Sequence, residues 1–335
     1  MRPWPPTLTV YGTTSRGRLD MGTLNVSARS RLHFGLVDLV GATPRRFGGL
    51  GAMLEQPSVK VVCEPAKVFT IIGGAVDDRL RKSVLSAAAR YQSSVGGEAA
   101  RFEVVTSPPR HIGLGSGTAT VMACLQGLDG LVGGGVARAK LGEMSGRGGA
   151  SGTGVNGYWH GGWIVDAGQP LDAPVLPSGL QVPIKPSLMT QRLESPAWAV
   201  DLYLPPGVQV SGVAESRLFR RAAANEGMES LQALALLHHG LVPALLSSDL
   251  PTFGDYMGQF QALSLKRLEI GHQGPEVASL KKSLMDSYPC VAMSSMGPIL
   301  AAFRGIDDPV PFLGHEPYLT NSRISGTGAS VQWAE

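Results

Sequence analysis

The chain has 335 residues, 43% of them hydrophobic and 16% charged, with a formal net charge of +3. That length suits one large or two medium domains with a real core, and so small a charge excess offers no case for nucleic-acid binding. No run approaches the roughly 18 consecutive apolar residues of a membrane-spanning helix. Three cysteines, Cys63, Cys124 and Cys290, lack metal-ligand spacing, and their odd number argues for free buried thiols in a reducing cytosol.

Residues 1–22 carry charges and prolines without the apolar centre of a signal peptide and read as a disordered leader, with Met21 a possible alternative start. The first regular element is a strand from Leu24 to Asp38. Its alternation turns Ala28, Leu32 and Phe34 to a core and Arg29, Arg31 and His33 to the other face. A loop follows, then the glycine cluster Phe47–Met53, then strands at Val59–Glu64 and Val68–Ile72. Asp77 or Asp78 is placed to cap a helix running to about Gln92. A strand at Phe102–Thr106 leads into Pro108–Gly127, PPRHIGLGSGTATVMACLQG.

That stretch is the most informative in the chain. Gly113, Gly115 and Gly117 allow torsions and close approaches that a Cβ would block. Ser116 and Thr118 are placed to cap the helix that follows, at about Ala119–Leu131. A glycine turn opening a helix aims unpaired N–H groups and the positive end of the helix dipole at one point, which suits a phosphate. The same residues would also serve as a plain strand-to-helix connection. A further helix is expected at Val136–Met144.

Ser145–Gly162 holds eight glycines in eighteen residues, a density read here as a loop rather than a helix or strand. Arg147, Asn156, Tyr158, Trp159 and His160 mark it as structured. A short strand, Trp163–Asp166, ends on a carboxylate. The proline-rich stretch 170–196 is the best domain boundary. Beyond it come a strand at Ala199–Leu204 and helices at Glu215–Ala224, Met228–Ser247, Thr252–Leu268 and Pro275–Ser287. Pro243 should kink the second of these, whose His238 and His239 read as ordinary helix residues. Cys290–Ser294, a tight turn Ser295–Pro298, and Ile299–Phe303 read as a strand pair, with a last strand in Ile324–Gln332.

The phosphate-loop reading excludes two common motifs. No lysine follows the glycines, so the Walker pattern is absent, and the run is GxGxG rather than the dinucleotide GxGxxG. No His, Cys or Glu cluster has zinc spacing.

GLGSGT before a helix resembles the phosphate loop of the GHMP kinase superfamily. Together, SARSRLHFGLVDL, FGGLGAML, HIGLGSGTA, SGRGGASGTGVNGYWHGGWIVDAG and MSSMGP resemble the β-ribofuranosylaminobenzene 5′-phosphate synthase family of tetrahydromethanopterin biosynthesis. The likeness runs from about Leu24 to the C-terminus. It implies an α+β, GHMP-kinase-like architecture of two domains: a ribosomal-protein-S5-domain-2-like domain at 23–195 and a ferredoxin-like domain at 196–335.

One departure from the kinases bears on the reaction. With Ser151–Gly152 and Gly161–Gly162 in register, the kinase's catalytic aspartate falls on Gly154, which cannot take a proton. The family reaction transfers a phosphoribosyl group from phosphoribosyl pyrophosphate to 4-hydroxybenzoate or 4-aminobenzoate, releasing CO2 and pyrophosphate. An ATP-dependent small-molecule kinase is the alternative. The resemblance implies a cradle of Gly113, Leu114, Gly115, Ser116, Gly117 and Thr118 for the diphosphate. Arg29, Arg31 and Arg147 become candidates for the phosphates or the carboxylate, and His33 and His111 for the para substituent. Ser151, Gly152 and Asn156, with Ser295 and Gly297, are expected at the substrate. Asp38 and Asp166 are the candidate metal-facing carboxylates, although either residue would also cap a turn. Mg²⁺ or a similar cation is expected, with no organic cofactor, and so is a homodimeric cytoplasmic enzyme.

Overall fold

The computed structural model describes residues 22–174, 183, 187–208, 210, 212–223 and 227–334. The expected leader, except Gly22, lies outside them, as does much of the proline-rich stretch. The chain opens with a long hairpin, β1 (Leu24–Val37) and β3 (Gly48–Ala66), with the two-residue β2 (Arg45–Arg46) between them. The glycine cluster Phe47–Met53, expected ahead of the next strand, belongs to that strand from Gly48 on. A Cβ on Gly49 would stand 2.4 Å from the Gly35 carbonyl oxygen, and one on Gly51 2.5 Å from that of Leu32. The glycines are there to bring two backbones together, not to turn the chain.

β4 (Thr70–Ile72), α1 (Asp78–Val95) and β5 (Ala99–Thr106) follow, with β4 and β5 parallel. Asp77 caps α1 as expected, its carboxylate accepting the Leu80 N–H at 2.7 Å. Next come α2 (Ser116–Leu131), α3 (Arg138–Ser145), α4 (Thr153–His160), β6 (Trp163–Asp166), β7 (Gln169–Pro170) and β8 (Met189–Leu193). The helix α4 is a second correction, since it lies inside the glycine-rich stretch. Its Gly157 lets β3 approach, because a Cβ there would sit 2.4 Å from Met53 Sδ.

The remaining elements are β9 (Trp198–Tyr203), α5 (Val213–Ala223), α6 (Glu229–Ala235), a π-helical turn Leu236–Leu241, α7 (Val242–Leu246), α8 (Leu250–Gln261), α9 (Ser264–His272), α10 (Pro275–Met285), β10 (Cys290–Met293), β11 (Leu300–Gly305), β12 (Leu319–Ser322) and β13 (Ser330–Trp333). The helix expected over Thr252–Leu268 is two, broken where Ser264 takes a positive φ of 47°. The π turn just ahead of Pro243 accommodates the proline that sequence marks as a kink.

Two main sheets result. The first runs β13-β1-β3-β5-β4, with β6 on β3 and β8 on β6; the second runs β10-β11-β9-β12. The last strand of the chain thus returns to the first sheet. Both sheets share a core in which Phe34 and Trp163 from the first pack with Trp198 and Phe303 from the second and Phe253 of α8. Trp163 and Phe253 stand 5.3 Å apart, edge to face, a contact that adds to burial itself. This shared core joins the two halves across the interface between their sheets.

No helix among the described residues is long and apolar enough to cross a membrane.

Candidate active site

An open cleft of about 1200 Å³, mouth included, lies between the halves. On one side the phosphate loop enters from β5 and turns into α2. Gly115 (φ 69°) is the residue preceding the helix, and no side chain caps it. Ser116 and Thr118 therefore do not cap α2 as expected. Both line the cleft with Gly113, Gly115 and Gly117, and the Thr118 N–H turns back to the Gly115 carbonyl at 3.0 Å, which leaves the Ser116 and Gly117 amides as the first-turn donors. Leu114 instead turns inward, 1% exposed, while its carbonyl accepts the Arg31 N–H at 2.9 Å.

The second domain's tight turn closes the opposite side. Ser294 Oγ donates to the Gly113 carbonyl at 2.7 Å and accepts the His33 N–H at 3.0 Å. The Ser295 N–H reaches the His33 carbonyl at 2.7 Å. Strand β1, the phosphate loop and this turn are thereby stitched together, and Ser295 and Gly297 line the cleft as expected.

Four arginines converge there: Arg31, Arg79, Arg110 and Arg147. Arg147 Nε donates to Thr118 Oγ1 at 3.2 Å, and Arg31 reaches Ser295 Oγ at 3.4 Å. Arg110 pairs with Asp77 at 3.4 Å. Burial, then the neighbouring Arg110, Arg79 and Arg31, lowers the Arg147 pKa to about 10. Burial lowers Arg31 to about 10 as well. Both remain cationic at neutral pH, and their mutual repulsion is relieved by a bound polyanion.

His33 is 5% exposed and its Nε2 has no hydrogen-bond partner. Burial, then Arg31 and Lys266, pushes its pKa well below the ordinary value, so the imidazole is neutral. His111 lies 3.9 Å from Asp77, its pKa lowered by burial and then by Arg110 and Arg79. Leu36, Ala150, Val210, Phe219 and Met296, which belong to one hydrophobic cluster, give the same cleft an apolar wall. Buried Lys266 joins Glu269 at 2.5 Å and donates to the Ser295 carbonyl at 2.7 Å.

Several expected site residues are elsewhere. Arg29 points out to the Glu55 carbonyl and Thr327 Oγ1, because the strand register slips between Arg29 and Ser30 and such a bulge re-aims a side chain. Ser151 lines the cleft, but Gly152 and Asn156 pack on Ser187, with Asn156 Nδ2 donating to its carbonyl at 3.2 Å. Asp38 accepts the N–H groups of Gly41, Ala42 and Thr43 at 2.7–2.8 Å. Asp166 accepts from Gly168 N, Ser187 Oγ and Thr153 Oγ1 at 2.9, 2.9 and 3.2 Å. Both carboxylates are used up holding loops, and neither lines the cleft. No group of three or more metal-ligating side chains occurs among the described residues. Arg79, Arg110, Glu215 and Glu269 were not anticipated. Arg110 next to a turn histidine and Arg79 in the first turn of a helix were the available signals.

Burial raises the Asp166 pKa to about 6 despite those bonds. Asp166→Ala would leave its donors unsatisfied, at a cost of roughly 1–3 kcal/mol each for those that water cannot reach. A clear drop in melting temperature is expected, with divalent-cation affinity unchanged. Weakened cation affinity at an unchanged melting temperature would restore the metal role.

Gly154 sits at the cleft wall, where a Cβ would lie 3.3 Å from Thr118 Cγ2 and 3.6 Å from Arg31 Cδ.

No family model matches the chain. It is 31% identical over 281 residues to β-ribofuranosylphenol 5′-phosphate synthase of Archaeoglobus fulgidus, covering 83% of this chain and 87% of that protein. The enzyme of the same name from Methanothermobacter thermautotrophicus is 30% identical over 287 residues, covering 82% and 87%. Among solved structures, mevalonate pyrophosphate decarboxylase from Streptococcus pyogenes superposes with a TM-score of 0.65 at 11% identity, covering 92% of this chain and 99% of that one. Homoserine kinase from Cytophaga hutchinsonii superposes with 0.62 at 16%, covering 97% and 100%. At such identities the structural likeness speaks for the fold alone.

Proposed function

The chain belongs to the β-ribofuranosylphenol 5′-phosphate synthase family and has the two-domain α+β fold of the GHMP kinases, and from that premise we propose that it transfers a phosphoribosyl group to a para-substituted benzoate in tetrahydromethanopterin biosynthesis. Phosphoribosyl pyrophosphate is the donor and 4-hydroxybenzoate or 4-aminobenzoate the acceptor. The C1′–oxygen bond to pyrophosphate breaks with its electron pair, and the carboxyl-bearing ring carbon supplies the pair for a new C–C bond. Loss of CO2 then returns a pair to the ring. The reading carries with it a homodimeric, cytosolic enzyme.

One observation carries this reading: an uncapped helix N-terminus and four arginines share a cleft with an apolar wall. The diphosphate fits the cationic part. First-turn amides together with Arg79, Arg110 and Arg147 would hold it, each charge-assisted hydrogen bond contributing roughly 1.5–3 kcal/mol. The benzoate fits the wall of Leu36, Val210, Phe219 and Met296, where its carboxylate is poorly solvated and leaves more readily. His33, neutral and unpartnered at Nε2, is suited to a hydrogen bond with the para substituent, with His111 as the second candidate. Arg31 stands between the two parts.

Mg²⁺ belongs to the reading as a companion of the substrate. With Asp38 and Asp166 engaged in loops, the residues present do not form a ready cage, so the cation would arrive on the diphosphate oxygens. The glycine at position 154 removes the base a kinase would use, and that favours transfer of ribose over transfer of phosphorus.

The test is a product assay. Purified protein with phosphoribosyl pyrophosphate and each benzoate should release pyrophosphate and CO2 in equal amounts. With labelled ATP and a panel of alcohols it should form no phosphate ester. Phosphorylation of an alcohol, with no CO2 from the first mixtures, would select the kinase instead.

A further inference from the structure

The cleft contains a charged group that binding of phosphates does not explain. Glu215 lies in the first turn of α5, and Phe219, one turn on, lines the same cleft, as the i,i+4 spacing requires. The other cleft glutamate, Glu269, is tied to Lys266 at 2.5 Å. Among the described residues Glu215 makes no ion pair within 4 Å, yet it feels Arg31, Arg79 and Arg147 as well as Glu269. A carboxylate in a diphosphate site weakens diphosphate binding by repulsion, so its place there calls for another task.

The chemistry supplies one. When pyrophosphate leaves with its electron pair, positive charge develops on C1′ and the ribose ring oxygen. Arginines gathered for the phosphates oppose that charge; only a nearby anion offsets them. We infer that Glu215 faces the ribose of the donor, accepting hydrogen bonds from its hydroxyls and stabilising the cationic sugar in the transition state. No bond to Glu215 forms and no proton is transferred to it. The inference rests on the phosphoribosyl-transfer reading and assigns a catalytic residue within it.

The task needs the ionised form. Burial first, and then Glu269, raises the Glu215 pKa to about 7, while Arg79, Arg147 and Arg31 pull the other way. The charged groups that act on it are Glu269 from α9, Arg79 from α1, Arg147, and Arg31 from β1; Arg110 and His111 line the same cleft, and Lys266 is paired with Glu269. Because the protonated acid is inactive, kcat/KM, which reports the free enzyme, should fall as pH drops below about 7 and level off above it.

Glu215→Gln and Glu215→Asp, assayed with phosphoribosyl pyrophosphate and 4-hydroxybenzoate, test this. The glutamine variant should lose about 10²-fold in kcat. Its pyrophosphate affinity should be equal or tighter, its melting temperature should not fall, and the acid limb of its kcat/KM profile should vanish. The aspartate variant should recover part of the rate and keep a limb. A glutamine variant within threefold of wild type, or one that loses kcat but keeps the same acid limb, would overturn the assignment. A wild-type protein that releases no pyrophosphate from these substrates would instead sink the family reading on which it stands.

Discussion

Gly113→Val is expected to abolish turnover and destabilise the fold together. Gly113 has φ 101°, and a Cβ there would lie 2.3 Å from the Ser294 carbonyl oxygen and 3.0 Å from Ile299 Cγ2. The first obstacle is backbone and cannot rotate away. The positive φ alone costs on the order of 1–3 kcal/mol, and the clash adds to it by forcing the second domain's turn off the phosphate loop. That turn is held by Ser294 Oγ to the Gly113 carbonyl and by Ile299 N–H to the Ile112 carbonyl at 3.1 Å. A destabilisation of about 3 kcal/mol corresponds to a drop of roughly 6–12 °C for a domain of 150–250 residues. Thermal melting and the product assay check both parts. Ser116→Ala, which leaves this junction intact, should weaken pyrophosphate binding without moving the melting temperature. A valine variant that melts like wild type and still binds pyrophosphate would remove the loop from the site.

Arg31→Met should have opposite effects on stability and on catalysis. Arg31 lies at the crossing of all the cleft's parts: 3.4 Å from Ser295 Oγ, beside the backbone of Gly115, and next to Gly154. Its Nε is buried without a partner. Its pKa, lowered to about 10 by burial, still leaves it charged at neutral pH. A desolvated, incompletely bonded cation disfavours the empty fold, and a methionine of similar reach would not. The unliganded variant should therefore melt at the same or a higher temperature. If two charge-assisted bonds to substrate are lost, at roughly 1.5–3 kcal/mol each, kcat/KM falls by about 10²–10⁴-fold. The rise in melting temperature on adding pyrophosphate should shrink as well. A variant with unchanged kcat/KM and a lowered melting temperature would make Arg31 a structural residue.

Local chemistry made part of the site legible beforehand. The loop Gly113–Thr118 without its inward-turned Leu114, and Arg31, His33, His111, Arg147, Ser151, Ser295 and Gly297, line one cleft. The errors share a cause. Arg29 was grouped with Arg31 by the two-residue period of a strand, and a register slip breaks that period. Asp38 and Asp166 were offered as metal-facing carboxylates or turn caps, and both accept turn amides. Gly157 was read as a loop residue, whereas its missing Cβ makes room for Met53 of β3, and those of Gly49 and Gly51 let β1 and β3 approach.

Read alone, the amino-acid order determined what each short segment is able to do: Asp77 caps a helix, glycines open a loop to an anion, and position 154 carries no base. These are properties of neighbours in the chain, set by torsion and by hydrogen bonds across three or four residues. Which side chains meet was decided only by the tertiary structure. Arg31, Arg79, Arg110 and Arg147 are spread over more than a hundred residues, and Glu215 comes from beyond the proline-rich stretch. They converge because two sheets close on one aromatic core around Trp163 and Phe253. That closure is driven by apolar burial, which is non-directional. The charges it brings together therefore leave no periodic trace in the chain.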